Sequence, residues 1–62
     1  MNVKDYIGLT KKRAQDKAEA DNLIFRLLKI DNEDFFSFPT DKRTDRICIE
    51  ITKGVVSKAV IH

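Results

Sequence analysis

The chain has 62 residues, which corresponds to one domain near the lower size limit for independent folding. Hydrophobic residues make up 42%, charged residues 35%, and the formal net charge is +2, which is typical of a globular chain and too weak a charge to indicate a nucleic-acid partner by itself. The single cysteine, Cys48, excludes an internal disulfide. We therefore expect a single domain over residues 1–62.

The amino terminus predicts neither export nor membrane insertion. Residues Met1–Asp5 alternate apolar and polar side chains, whereas a signal peptide opens into an apolar core. No apolar run approaches the roughly 20 residues that span a bilayer. A free thiol fits a reducing compartment. We expect a cytoplasmic protein with no membrane partner, either a monomer or a weak dimer.

The sequence offers no set of side chains that is typical of a metal site, a cofactor site or a catalytic site. His62 is the only histidine and Cys48 the only cysteine, and the sequence shows no further component that would complete a metal cluster or a catalytic cysteine–histidine site. The acidic turn Asp31, Glu33 and Asp34 lacks the glycine and distal glutamate of an EF-hand calcium loop. We expect no metal and no cofactor, and the small domain leaves no room for an enzyme cleft.

A helix is predicted over Lys11–Asp21. Thr10 can cap its amino end through the hydroxyl, and Asn22 tolerates the left-handed conformation that ends many helices. Ala14 and Ala18 share one face. Because both are small, we expect that face to lie close against a sheet.

Three basic residues occupy the first turn of this helix, where they oppose its macrodipole. They are Lys11, Lys12 and Arg13. They are interpreted either as a solvated face or as a basic spot for an acidic partner. Nucleic acid is not the expected partner, because no aromatic platform is interleaved with the basic residues.

Three strands are predicted after the helix. Leu23–Ile30 is apolar on both faces, which indicates a covered or central strand. Arg46–Thr52 alternates apolar and polar residues, which predicts a half-buried strand. Lys53 and Gly54 form a tight turn, and Val55–Ile61 is the return strand.

The expected core is drawn from these strands. Its members are Ile47, Ile49 and Val56, with Leu27 or Leu28. On the return strand, strict alternation gives Val56, Lys58 and Val60 a common face. Cys48 is interpreted as a small apolar filler on the face opposite the isoleucines, and Tyr6 as a packing residue with its hydroxyl in water.

The segment between the first two strands, residues 31–45, has no clean periodicity. A connection of about 15 residues in a small domain is usually functional or disordered, and its phenylalanines argue against disorder. Phe35 and Phe36 are interpreted either as a small core beneath the loop or as a partner anchor, since aromatic side chains dominate binding hot spots. If the flanking strands are parallel, the loop must cross the sheet in an extended, exposed form.

The order of elements predicts an α+β domain with one helix packed on a small sheet. If its first two strands are parallel, this arrangement resembles the potato inhibitor I family of serine-protease inhibitors, including its small bacterial and fungal single-domain relatives. The resemblance implies a mixed parallel/antiparallel sheet, with a long exposed loop joining two parallel strands. The resemblance covers about Tyr6 to Ile61. Its motifs are the lead-in Tyr6–Thr10, the segment Asp45–Ile49 after the loop, and the Lys53-Gly54 hairpin with Val56.

The resemblance implies that the loop sits in a protease cleft as a substrate does, but stays rigid enough to be cleaved slowly. The matching segment is Ser37–Arg43, with the scissile bond between Thr40 and Asp41. Thr40 then enters a specificity pocket that accepts small side chains. Pro39 fixes φ near −65° and suits an extended segment, and Phe38 packs beneath it.

The implied site residues fall into two groups. The partner-binding loop comprises Phe36, Ser37, Phe38, Pro39, Thr40, Asp41, Lys42 and Arg43. The second group braces the loop: Arg46 pairs with Asp41 through a bidentate contact. Cys48 stands where many relatives carry a second supporting arginine. Arg43 and Arg46 are interpreted either as braces or as direct partner contacts.

Two functions from different classes remain open. The first is a serine-protease inhibitor that acts through Thr40 and its neighbours. The alternative is a non-inhibitory microbial or phage protein that uses the same fold to bind a host or partner protein. The lack of a visible signal peptide favours the second, while Pro39 and the Asp41–Arg46 pair favour the first.

Overall fold

The computed structural model describes residues 2–35 and 40–62. After a 3₁₀ turn at Val3–Tyr6, the elements are helix α1 (Lys11–Ala20) and strands β1 (Ile24–Ile30), β2 (Glu33–Asp34), β3 (Arg46–Thr52) and β4 (Val55–Ile61). The expected α+β class is confirmed. Within these residues, one helix packs on a four-stranded mixed sheet whose strand order is β2-β1-β3-β4.

Helix α1 begins and ends within one residue of its predicted bounds. The hydroxyl of Thr10 accepts a main-chain N–H of the first turn at 3.3 Å. Asp21 caps the carboxyl end, and Asn22 follows with a φ of 58°, the left-handed conformation that asparagine tolerates. Ala14 and Ala18 are fully buried, so the helix lies on the sheet through its small face.

Strands β1 and β3 are parallel neighbours, as predicted, and their register runs from Ile24–Arg46 to Ile30–Ile51 with one irregularity after Leu27. Strand β4 pairs antiparallel with β3. The short strand β2, which the sequence did not predict, pairs antiparallel with the end of β1. The connecting loop, residues 31–45, therefore joins the carboxyl end of β1 to the amino end of β3.

The expected core is confirmed in its main members. Ile47, Ile49 and Val56 are fully buried or nearly so and belong to one cluster with both helix alanines. Leu27 packs against this cluster. Leu28 is also buried but lies outside the cluster, because successive residues of a strand project to opposite faces of the sheet.

The expected alternation of β4 is wrong because the strand contains a bulge. Glu50 pairs with Lys58 and Ile51 with Val56, so Ser57 is an extra residue opposite the junction. The bulge shifts the pattern by one residue, since Val56 and Ala59 are buried and Lys58 is exposed. Val56, Lys58 and Val60 therefore do not share one face.

Strand β3 is more buried than the half-buried strand that the sequence predicts. Arg46 and Cys48 are 8% and 1% exposed, although they lie on the face opposite the core isoleucines. The polar face of the strand is thus covered over its first half, and only Glu50 and Thr52 reach solvent.

The expectation that the Tyr6 hydroxyl lies in water is also wrong. Tyr6 is fully buried and donates a hydrogen bond of 2.7 Å to Asp21 Oδ2. Lys17 Nζ lies 3.4 Å from the same oxygen and 5.3 Å from the centroid of the Tyr6 ring. These contacts fasten the lead-in of the chain to the carboxyl end of the helix.

Candidate functional site

The second half of the connecting loop, residues 40–45, is exposed and approaches β3 at its amino end. Four of the predicted site residues lie here: Thr40, Asp41, Lys42 and Arg43. The remaining predicted loop residues, Phe36, Ser37, Phe38 and Pro39, lie outside the described residues. The described geometry of the site is therefore that of the segment from Thr40 onward.

Arg46 contacts Asp41, as the sequence predicts, but in a different form. One guanidinium nitrogen, Nη2, donates to the main-chain oxygen of Asp41 at 3.1 Å and to its Oδ1 at 3.2 Å. The predicted bidentate contact would have engaged both carboxylate oxygens. The observed contact holds the backbone as well as the side chain of Asp41, and it therefore restrains the chain itself.

The guanidinium of Arg46 is fixed from a second side. Its Nε donates to the main-chain oxygen of His62 at 3.0 Å, and the main-chain N–H of His62 donates to the carbonyl of Arg46 at 3.2 Å. Arg46 is only 8% exposed, whereas the Asp41 side chain is 67% exposed. A buried, oriented cation thus holds an exposed segment in place.

A second ion pair closes the segment. Arg43 donates from Nε and Nη2 to the two carboxylate oxygens of Asp45 at 2.8 and 2.9 Å. This is the side-by-side geometry in which arginine binds a carboxylate most specifically. The main-chain oxygen of Asp45 accepts the N–H of Ile24 at 2.7 Å, so the end of the segment is attached to β1.

The two ion pairs lower the pKa values of their carboxylates. The hydrogen bond from Arg46 is the largest cause that lowers the pKa of Asp41, and the hydrogen bond from Arg43 does the same for the pKa of Asp45. Both carboxylates are therefore charged at neutral pH, and both contacts persist until acid protonates them.

Phe35 lies at the other end of the described loop and is 49% exposed. Its N–H donates to the carbonyl of Leu28 at 2.9 Å, which holds its backbone beside β1. The interpretation in which Phe35 and Phe36 both fold beneath the loop is therefore wrong for Phe35.

Cys48 occupies the position expected of an apolar filler. It is 1% exposed, and burial is the main reason that the pKa of its thiol is raised. Among the described residues, no group of three potential ligands from histidine, cysteine, aspartate and glutamate comes together at a metal-binding distance. No helix among the described residues has both the length and the apolar character needed to cross a bilayer.

Comparison with known proteins adds no assignment. No family model matches the chain, and neither a curated protein nor a solved structure matches it.

Sequence reasoning missed two contacts of the site. The Arg46–His62 contact joins the first residue of β3 to the residue after β4. The antiparallel pairing of these strands brings the two together, so the contact follows once the register is known. The Arg43–Asp45 pair was visible as opposite charges two residues apart. Its signal was weak, because charges at that spacing meet only when the backbone is not helical.

Proposed function

We propose that the chain is a protein-binding domain that presents the segment Ser37–Arg43 to a partner protein. We further propose that this partner is a serine protease whose specificity pocket accepts small side chains. The observation that carries this proposal is the hold of the buried Arg46 on the backbone and side chain of Asp41.

Rigidity separates an inhibitor from a substrate in this mode of binding. A segment that is already ordered loses little conformational entropy in the protease cleft. Arg46 is itself fixed by His62, and the Arg43–Asp45 pair restrains the segment on its carboxyl side. These contacts support a loop that is preorganised on the carboxyl side of the proposed scissile bond.

The contact at Asp41 also bears on the fate of the cleaved chain. If a protease cut between Thr40 and Asp41, Asp41 would become a new amino terminus. Its carbonyl and carboxylate would still be bound by Arg46, so the new terminus would stay near the acyl group on the enzyme. Resynthesis of the bond would then compete with release, and the protease would remain occupied.

The test exchanges the side chain that enters the pocket. The parent chain is expected to inhibit an elastase-type serine protease, whose specificity pocket is small, and not a trypsin-type enzyme. Thr40→Lys is expected to reverse this preference, because the trypsin pocket carries an aspartate. Thr44→Lys is the matched control, since Thr44 is an exposed threonine of the same loop, and it should leave the preference unchanged.

Two outcomes contradict the inhibitor proposal. One is that neither the parent nor Thr40→Lys inhibits either enzyme. The other is rapid cleavage at Thr40–Asp41 with release of the fragments, which would identify a substrate.

A second candidate function is a non-inhibitory microbial or phage module that binds a host or partner protein. The half-exposed Phe35 favours it, because an exposed aromatic side chain on an anchored backbone is a typical binding hot spot. An intact chain that neither inhibits nor is cleaved by the proteases would favour this function over the first.

A further inference from the structure

An exposed aliphatic side chain lies beside the proposed contact segment. Ile24, the first residue of β1, is 49% exposed. It pairs with Arg46 in the parallel register of β1 and β3. Directly paired residues of neighbouring strands project to the same face of a sheet, so Ile24 and Arg46 share the face on which Arg46 contacts Asp41.

The backbone of Ile24 is held against the end of the same segment. Its N–H donates to the carbonyl of Asp45 at 2.7 Å, and the carboxylate of Asp45 is bound by Arg43. The segment from Asp41 to Asp45 is thus attached at one end to Arg46 and at the other to Ile24. The side chain of Ile24 therefore borders the segment at a fixed position.

We propose that Ile24 is a second contact point for the protein that binds the loop, where it meets an apolar side chain on the rim of the partner's cleft. This inference rests on the proposed function and adds a specificity-determining residue outside the loop. A β-branched aliphatic residue that is half exposed and held by neighbouring hydrogen bonds offers apolar area with little entropy to lose on binding. The contact carries no charge, so its contribution should be insensitive to salt.

A matched control residue lies near the start of β4, away from the segment. Ile7 is 48% exposed, nearly the same as Ile24. Its neighbour Gly8 donates to the carbonyl of Val56, at the start of β4, whereas Arg46 and His62 meet at the end of that strand. Ile7 is therefore an equally exposed isoleucine remote from the segment.

The experiment measures the inhibition constant against the elastase-type protease for the parent, Ile24→Thr, Ile24→Val and Ile7→Thr. Threonine keeps the β-branched shape that suits a strand, and urea unfolding midpoints establish that each variant is folded. Ile24→Thr is expected to weaken inhibition about tenfold, the scale of a moderate hot spot. Ile24→Val should retain most of the affinity, and Ile7→Thr should match the parent.

The failure of this inference differs from the failure of the proposed function. If the parent inhibits and Ile24→Thr inhibits equally well, the second contact is wrong and the loop proposal stands. Equal weakening by Ile24→Thr and Ile7→Thr also overturns it, since the effect is then not local. If the parent inhibits nothing, the proposed function fails and this inference fails with it.

Discussion

The phenol of Tyr6 donates a hydrogen bond of 2.7 Å to the carboxylate of Asp21. The bond connects the segment before helix α1 to the carboxyl end of that helix. Burial is the main cause that raises the pKa of Tyr6, and the bond to Asp21 adds to it. The same bond is the largest cause that lowers the pKa of Asp21. One contact therefore sets the ionisation of both groups.

This contact predicts a pH dependence with a definite sign. Because the pKa of Asp21 is lower in the folded state, the unfolded state binds more protons as the pH falls below about 4, and stability is lost in that range. Tyr6→Phe should flatten this loss, because the largest cause of the Asp21 shift is then gone. Urea unfolding of both proteins between pH 5 and pH 2 measures the difference. Parallel curves would mean that the bond does not contribute.

At neutral pH, the same Tyr6→Phe substitution should lower the free energy of unfolding by about 0.5–1.5 kcal/mol, the usual net value of one hydrogen bond. Phenylalanine retains the ring that packs in the core, so the fold should be unchanged. Val55→Thr, at a position 38% exposed, is the control and should be close to neutral.

The central strand carries the largest expected loss of stability. Ile49 of β3 is fully buried in the cluster that also contains the two helix alanines, and Ile49→Ala should cost about 2–5 kcal/mol. A domain of this size has about 5 kcal/mol available, so the variant should be near the limit of folding. Urea unfolding by circular dichroism checks this, and a loss below about 1 kcal/mol would exclude Ile49 from the core.

Arg46→Ala should both loosen the loop and destabilise the domain. The loss of an exposed ion pair costs little. Arg46 is instead buried and donates three hydrogen bonds to acceptors within the described part of the chain, so we expect a loss of about 1–3 kcal/mol. Cleavage at Thr40–Asp41 should also become faster. Asp41→Asn is the partial variant, because it keeps the main-chain acceptor of Asp41 and should accelerate cleavage less. Equal cleavage of the parent and Arg46→Ala would show that Arg46 is not a brace.

The β3–β4 turn can be improved. Lys53 and Gly54 have φ values of 54° and 81°, the positive values of a type I′ turn, for which Asn-Gly is the preferred pair. Lys53→Asn should therefore raise the free energy of unfolding by a few tenths of a kcal/mol up to about 1 kcal/mol. Gly54→Ala should lower it, although no heavy atom lies within 4 Å of the added methyl. A tolerated alanine would show that backbone conformation is not limiting there.

The sequence predicted the elements well and their fine geometry less well. Alternation, a capping threonine and small helix residues define α1 and β3, because each is a local pattern with one physical cause. The parallel pairing of β1 with β3 is not local, and it was expected from the family resemblance. The Ser57 bulge and the irregularity after Leu27 could not be predicted. The apolar pattern of a single strand does not show where its pairing with a neighbouring strand shifts by one residue. The burial of Arg46 and of the Tyr6 hydroxyl depends on which distant groups meet, and the sequence alone does not specify this.

The parallel pairing of β1 with β3 also shapes the folding kinetics. The β3–β4 hairpin and the helix form from residues close in sequence, but β1 meets β3 only when the chain has closed a loop of about 15 residues, which has an entropic cost. We expect this closure to limit the folding rate. Because that cost rises only about 0.6 kcal/mol for each doubling of loop length, extending the loop by several glycines should slow folding only modestly and leave unfolding almost unchanged.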